Sequence, residues 1–568
     1  MPGIFGTARC DTASPLSAQT IASMEALLRY KPFFQCDPHF SDQSVSAGRC
    51  YTGIINRERQ PFSKNEIRVW FDGEFYNQSG LRKKFDVTAQ TDPALLVELY
   101  QTQDLKTFLP EIDGIFSSVI YDVSRKCLLF LNDRYGLRHL YISRQVDAIA
   151  WSSELKALSV VPWFNGTTDK KAVDQYLRFG YFIEDDTWFT DVKLLPSSSF
   201  LRFSLTDGAS KIETYWSWDK IKPFGSLSDI RSIGFEWGTR FRRAVEKRCR
   251  PGEKTGVTLS GGLDSRAILA AFPEEYGTVQ TATFGVHGCQ DMSLAARAAK
   301  VKNAHNHTFE LSAQNWLMPR LPGVWGTDGQ LSILDMHGIE CLPEMAKIFN
   351  ISLNGMGGDG IHGGSFMSAR QQQVSSTKDP YGYRGRRFIR VGTILDEPWM
   401  HIRLPFYDND LLELTLALPA EIRKNARFYR MALLAAFPEY FKTIPWQKIE
   451  IPISMPEPMI MASWYLVKVR NRLEKKLKEI GLLKNKGSHN FTDYAAWLRE
   501  EPGFGFFKKV LLSPKAIYPE YVDAARVSGM WNAHCAGADF SREICRYATL
   551  EVWLQQILLK NMRPENIG

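Results

Sequence analysis

An apolar strand that breaks into a loop of small polar residues and then into a helix is the strongest constraint on this chain. Val257-Thr258-Leu259 runs into Ser260-Gly261-Gly262-Leu263-Asp264-Ser265, and a helix is predicted to begin near Arg266. Glycines let backbone approach an anion closely, the hydroxyls of Ser260 and Ser265 can donate hydrogen bonds, and amides at a helix start favour negative charge. Asp264 would repel that anion unless a cation such as Mg²⁺ sat between them. The loop therefore reads as a nucleotide pyrophosphate site with a metal implied; a plain tight turn is the competing reading. No Gly-Lys-Ser/Thr ends it, as a Walker A loop requires, and its glycines lack the dinucleotide-binding spacing.

At 568 residues the chain is too long for one core and predicts two domains. Residues 1–205 alternate short apolar runs with turn signals, as in Ile67 to Phe71 before Asp72-Gly73, and carry helical patches such as Pro93 to Tyr100. This is the pattern of an α+β unit on antiparallel strands, ending with Ser199 to Phe203. A polar connection follows to about residue 225, and Leu227 to Cys249 reads as one amphipathic helix. Strands and helices then alternate from Gly256 to Leu353, which predicts a parallel sheet with crossover helices. From Leu411 onward the pattern is helical. Ala462 to Leu482 carries an apolar stripe of Trp464, Leu466, Val469, Leu473 and Leu477, most simply packed on the core. Residues 371–390, rich in arginine and glycine, read as a mobile basic loop.

Charge and cysteine usage narrow little. A net charge of +8 suits ATP, an anionic peptide or nucleic acid equally. No nucleic-acid-binding module is recognisable, so no nucleic acid is expected. Nine scattered cysteines show neither a Cys-x-x-Cys pair nor zinc spacing, and read as thiols in a reducing compartment. No run of about 18 apolar residues occurs and the first residues lack a basic secretory segment, so a cytoplasmic protein without a membrane span is expected.

A second loop, Asn354-Gly355-Met356-Gly357-Gly358-Asp359-Gly360-Ile361-His362-Gly363-Gly364, follows a short apolar strand and holds six glycines in the ten positions from Gly355. Such freedom costs roughly 0.5–1 kcal/mol per glycine in a regular element, which makes sense where chain and ligand must come close. Asp359 is the natural second carboxylate for a metal shared with Asp264.

Together, Ser260 to Ser265, Asn354 to Gly364, Arg403-Leu404-Pro405-Phe406-Tyr407-Asp408 and Trp446-Gln447-Lys448 resemble the ordered signatures of the asparagine synthetase superfamily. Gly3-Ile4-Phe5-Gly6, Asp72 to Asn77, Asp113 to Phe116, Asp133 to Leu137 and Ser153 to Leu158 extend the resemblance to the amino-terminal part. The resemblance implies an α+β sandwich of the N-terminal-nucleophile-hydrolase kind over residues 1–205. It implies a parallel-sheet PP-loop ATP pyrophosphatase with a helical carboxy-terminal part over 226–568. Family roles then fall on Leu259, Ser260, Gly261, Gly262, Asp264, Ser265, Thr283, Phe284 and Gly355 for ATP and pyrophosphate. Asp264 and Asp359 take the role of Mg²⁺ ligands, and Lys448 that of the lysine that stabilises charge in the transition state.

The family's first domain hydrolyses glutamine with a cysteine at position two, where this chain has Pro2; a secondary amine without a thiol cannot form the thioester. Asp72 stands where the family places an oxyanion-stabilising asparagine, putting negative charge beside developing negative charge. A degenerate, non-hydrolysing first domain is therefore expected, as in β-lactam synthetase, carbapenam synthetase and the lasso peptide cyclases. Those relatives adenylate a carboxylate and close a ring with an intramolecular amine. The expected partners are a small-molecule or peptide carboxylate, with a leader-peptide-binding protein or protease on the lasso reading. An ammonia-dependent asparagine synthetase and a non-catalytic scaffold are the rivals. Met356 stands where the family commonly has an acidic residue, so a base must come from elsewhere; Asp335, His337, Glu340 and His362 are candidates.

Overall fold

The computed structural model describes residues 3–10, 18–224, 229–367, 382–479 and 490–564; Pro2 lies outside them. Two antiparallel sheets make the amino-terminal part. One runs, in spatial order, Val192–Leu194, Tyr141–Arg144, Ala148–Ser152, Ile4–Arg9, Val45–Tyr51, Gln35–Cys36, with Phe40–Ser41 beside Val45–Tyr51. The other runs Ser210–Thr214, Ser199–Ser204, Cys127–Asn132, Gly114–Asp122, Ile67–Phe75, Phe62–Lys64. Period-two alternation explains how both faces are buried. Trp70, Val119, Leu128 and Phe130 meet Ile4, Ala47 and Trp151 between the sheets, whereas Val69, Phe71, Ile120 and Leu129 face a second core that includes Leu95, Leu96 and Leu99. Those leucines lie on the helix Asp92–Thr102.

The second part is built on a five-stranded parallel sheet ordered His305–Glu310, Gln280–Gly285, Thr255–Thr258, Ile351–Leu353, His401–Arg403. The first strand in sequence is central, so the chain winds outward in one direction and then in the other. A crevice opens at the carboxyl ends where the direction reverses, between Thr255–Thr258 and Ile351–Leu353. Both glycine-rich loops emerge there.

Several expectations are corrected. Residues 206–225 are not wholly a connection, because Ser210–Thr214 pairs with Ser199–Ser204 as an edge strand. Its exposed, polar residues hid it from a search for apolar runs. The helix after the first loop begins at Leu263, three residues before Arg266. Arg403 ends a fifth parallel strand too short to show a period. Cys36 and Cys50, directly opposite on paired strands, form a disulfide where only thiols were expected; the other described cysteines are not disulfide-bonded.

Two longer segments also differ. Residues 371–381 lie outside the described residues, but 385–390 is no mobile loop: Arg386, Arg387 and Arg390 are buried. Their guanidinium groups donate to the carbonyls of Gly136, Asp186 and Leu137, and Arg390 also reaches Glu397 at 2.7 Å. The arginines are spent on backbone acceptors of the amino-terminal part. The stripe on the helix Glu457–Glu479 does not pack on the core either: Trp464, Leu466 and Leu473 are exposed. This helix is anchored near its start, by buried Ile460 and by Ser463 donating to the Ile449 carbonyl. Among the described residues no helix is long and apolar enough to cross a membrane.

Buried charges join the two parts. Glu74 accepts from His401 Nε2 and from Arg403 Nε and Nη2, each at 2.8 Å. Lys156, fully buried, pairs with Glu154 and with Asp328 at 3.0 Å, and Asp328 also accepts the backbone N–H groups of Leu155 and Lys156. Removing one partner of such a set strands a charge in a low-dielectric interior, at about 3–5 kcal/mol. Asp328→Ala should therefore lower unfolding stability by about that amount, read as a reduced midpoint in urea; a loss under about 1 kcal/mol would show that the latch carries no weight.

Candidate active site

The crevice brings the two predicted carboxylates together. The Asp359 N–H donates to Asp264 Oδ2 at 2.9 Å, and Tyr429, from the helix Arg427–Ala436, donates its hydroxyl to Asp264 Oδ1 at 2.8 Å. The approach is possible only because the second loop is bare: a Cβ on Gly358 would sit 2.3 Å from Asp264 Cγ. Lys448 Nζ lies 3.9 Å from Asp359 Oδ1. Thus Asp264, Asp359 and Lys448, from three separate segments, share one wall.

Electrostatics record the crowding. Burial first, and the neighbouring Asp359 second, push the Asp264 carboxyl up to about 7, against opposing help from the Asp359 amide, Tyr429 and Lys448. Two acids this close, with glycine backbone around them, make an oxygen donor set of the kind Mg²⁺ accepts when phosphates complete its shell. Among the described residues there is no cluster of three or more acidic, histidine or cysteine side chains for a metal, so such an ion would depend on the nucleotide as well as on the protein.

The first loop is held open by its own side chains. Ser265 Oγ accepts from the Ser260 N–H at 3.0 Å, and Ser260 Oγ accepts from the Gly262 N–H at 3.2 Å. Helix Leu263–Ala271 starts from Gly262 with no side-chain cap, which leaves its first turn suited to an anion. Leu259 is committed to the sheet, its N–H on the Ala282 carbonyl at 2.8 Å. The Thr283 hydroxyl donates to Asn306 at 3.0 Å, and Phe284 packs against Gly338, where a Cβ would meet the ring at 2.5 Å. Gly355 lies against the Asp264 Cβ, so its role is close passage of chain.

Two residues given no role from sequence, Asp291 and Arg266, complete the arrangement. Asp291, in the first turn of the helix Gln290–Lys302, accepts the Gly261 N–H at 2.8 Å with one oxygen and the Gln447 side-chain amide with the other. Gln447 precedes Lys448, so one carboxylate ties the phosphate-side loop to the lysine segment. Arg266 does the same from beneath, fully buried, donating to the carbonyls of Gly261, Ile444 and Pro445. Asp291 had a legible signal, since an acid just beyond the carboxyl end of a parallel strand points into the crevice. Arg266 had none, because a helical arginine reads as surface.

Of the four candidate bases, His362 is locked away: fully buried, it engages Trp237, Thr415 and the Phe406 carbonyl, and burial pushes it down to about 4. Glu340 is held by Arg320 at 3.4 Å, and His337 Nδ1 meets the Tyr494 hydroxyl at 3.1 Å. Burial raises the Asp335 carboxyl. The segment Arg403 to Asp408 supports the second loop through Phe406 and Tyr407, which lie against Gly357, while its two ends are used elsewhere. Arg403 binds Glu74 and Glu253, and Asp408 binds Arg248 at 3.2 Å, so these ends secure the interface.

Because the folded state holds Asp264 protonated above its ordinary range, its ionisation opposes folding. The unfolded chain releases this proton near pH 3.8 and the folded chain only near 7, so stability falls across that window. Asp264→Asn should stabilise the ligand-free protein at pH 7.5 by on the order of 2 kcal/mol, discounted for the side chain's partial exposure, and by little at pH 4. Equal effects of the variant on thermal unfolding at both pH values would contradict this.

Residues 1–216 match the family described as Glutamine amidotransferase domain, and residues 236–395 match Asparagine synthase. The chain is 26% identical over 345 residues to asparagine synthetase (glutamine-hydrolyzing) 1 of Bacillus subtilis (strain 168), covering 58% of this chain and 53% of that protein. It is 27% identical over 372 residues to the probable asparagine synthetase of Acanthamoeba polyphaga mimivirus, with 61% and 64% covered. Against the Rattus norvegicus asparagine synthetase the figures are 22% over 382 residues, 62% and 65%. The matched region spans between half and two thirds of these relatives. Glutamine phosphoribosylpyrophosphate amidotransferase from B. subtilis aligns at 13% identity with a TM-score of 0.28, covering 55% of this chain and 82% of its own, too low to bear on the fold. With two family matches in this order, the chain is similar to asparagine synthetases in both parts, a glutamine-amidotransferase-like part followed by an asparagine-synthase-like one.

Proposed function

We propose that the chain is an AMP-forming amide ligase that adenylates a substrate carboxylate and passes the acyl group to an amine. The single observation that carries this reading is the convergence of Asp264, Asp359 and Lys448 at the crevice between two glycine-rich loops. Residues 226–568 would form the ATP pyrophosphatase domain of the PP-loop kind. Ser260, Gly261, Gly262 and Ser265 would hold the pyrophosphate, with Leu259, Thr283, Phe284 and Gly355 bordering the rest of ATP. Asp264 and Asp359 would hold Mg²⁺, which when bound offsets phosphate charge. A carboxylate oxygen attacks the α-phosphorus and pyrophosphate leaves. The amine then attacks the acyl carbon, a proton passes to solvent, and AMP leaves. Lys448 stabilises the charge that develops in both steps.

Residues 1–205 act in this reading as a nucleophile-hydrolase-like scaffold without glutaminase activity. Asp72 is bound by Arg138, with Nε to Oδ2 at 2.7 Å, and Arg138 reaches Glu397 at 3.1 Å. Arg49, Glu397 and His401 line the small cavity beside them, and each is already engaged in an ion pair. The amine would then come from the substrate itself, as in lasso or lactam ring closure during natural product biosynthesis, in the cytoplasm. Free ammonium with aspartate is the rival source.

Pyrophosphate release from Mg²⁺-ATP across a set of candidate carboxylates tests the reading. Asp264→Asn and Asp359→Asn should each abolish it, and Lys448→Ala should slow it by about 10²-fold, for a contact of about 3 kcal/mol. Undiminished turnover in the aspartate variants would refute the adenylation site. Asparagine made from aspartate and ammonium would establish the ammonia-dependent synthetase, and failure of the wild type to bind Mg²⁺-ATP would leave a scaffold.

A further inference from the structure

A cavity of about 580 Å³ opens directly beside Asp359 and Lys448. Its volume lies in the range of about 300–1,000 Å³ that suits drug-sized ligands, and a four-carbon amino acid would leave most of it empty. The walls are unlike those of a site for a small polar amino acid. Trp446, Ile460, Met461 and Trp464 provide an apolar side, and Met461 and Trp464 remain 43% and 39% exposed on a helix that nothing covers at this point among the described residues. Aromatic and methionine side chains left open beside a polar site form a surface for an apolar ligand.

The charged groups are equally selective. Lys424, Arg430 and Lys448 line the cavity, and Asp359 is the one acidic residue among its lining. Arg430 is 4% exposed; its Nη2 donates to both oxygens of Glu457 at 2.9 Å, while its buried Nε has no hydrogen-bond partner. That nitrogen is closed off from the cavity and the Arg430 head is already paired with Glu457, so the open positive charge of the wall comes from Lys424 and Lys448. With Asp359 assigned to the metal, no carboxylate remains to receive the α-ammonium of free aspartate. The lining therefore selects for anionic oxygen and apolar bulk and against a free amino acid.

We propose that this cavity seats the acyl donor, and that the donor is a peptide-like carboxylate with a large apolar or aromatic group and a second anionic oxygen for Lys424. The assignment rests on the adenylation reading for the position of the reacting carboxylate at Lys448. It goes beyond that reading in excluding aspartate as the physiological donor and in naming the residues that do so.

The test uses the full-length protein and 1-anilinonaphthalene-8-sulfonate, an aromatic anion whose fluorescence rises in apolar sites, displaced by N-acetyl-phenylalanyl-aspartate or by aspartate. The dipeptide should displace the dye at a concentration at least tenfold below that of aspartate. Met461→Trp, which fills the cavity, and Lys424→Glu, which reverses an exposed charge, should each raise the dipeptide's half-displacement concentration at least fivefold. Both variants sit outside the proposed ATP machinery and should bind Mg²⁺-ATP as the wild type does by calorimetry, which also shows that they fold. Equal displacement by aspartate, or a dipeptide response unaltered in both variants, overturns the proposal. Failure of the wild type to bind Mg²⁺-ATP would instead overturn the adenylation reading, and the dye displacement reports on the cavity whichever way that result falls.

Discussion

The close passage of the second glycine loop over Asp264 is the constraint around which the carboxy-terminal part is arranged. A carboxylate at the carboxyl end of the central parallel strand is accepted there because the Asp359 amide and the Tyr429 hydroxyl each donate to it. Both donors depend on distant chain: one on Gly358 having no side chain, the other on the helix Arg427–Ala436 packing against the helix Ile230–Glu246, where Tyr429 meets Trp237. These two bonds do not neutralise Asp264, whose carboxyl stays raised by burial and by Asp359. Lys448 offsets part of this repulsion from 3.9 Å away, and a cation bound between the two acids would relieve more of it.

Asp291 and Arg266 give this local geometry its reach. Between them they bind the backbone of the first loop, the segment Ile444–Pro445 and the side chain of Gln447. The lysine segment comes from a region with little regular structure, and such a segment keeps a position only where side chains with several donors or acceptors span it. Arginine suits the task because its planar fork can reach several carbonyls at once.

A second electrostatic framework holds the two parts of the chain together. Glu74, Arg403, His401, Glu397 and Arg138 form a chain of buried ion pairs that starts at Asp72 and ends at Glu253. Arg403 and His401 hold Glu74 well below the usual carboxylate range despite its burial, so the framework is ionised. Buried pairs contribute less net stability than their contact distances suggest, because desolvation offsets the attraction, but they fix one relative placement against all others. The residues around Asp72 are used as joinery between the parts, which is the physical basis for reading the amino-terminal part as a scaffold.

How much of this could be read in advance divides along a clear line. Lys448 was marked only by a family resemblance, but the strand, loop and helix around Ser260, the glycine-rich loop at Asp359 and the antiparallel and parallel halves were all visible in sequence. Each is a local pattern in which periodicity or glycine content reports directly on backbone geometry. The edge strand Ser210–Thr214, the cross-strand cysteines and the exposure of Trp464 were not, since each depends on what lies opposite. The buried arginines 386, 387 and 390 were misread for the same reason: a guanidinium looks solvent-facing until backbone carbonyls from another part surround it. The sequence alone determined which groups can bear charge and where the backbone can bend. Tertiary structure alone decided which charges meet, because Asp264, Asp359, Asp291 and Lys448 come from separate segments whose distances are set by the sheet order and not by their spacing along the chain.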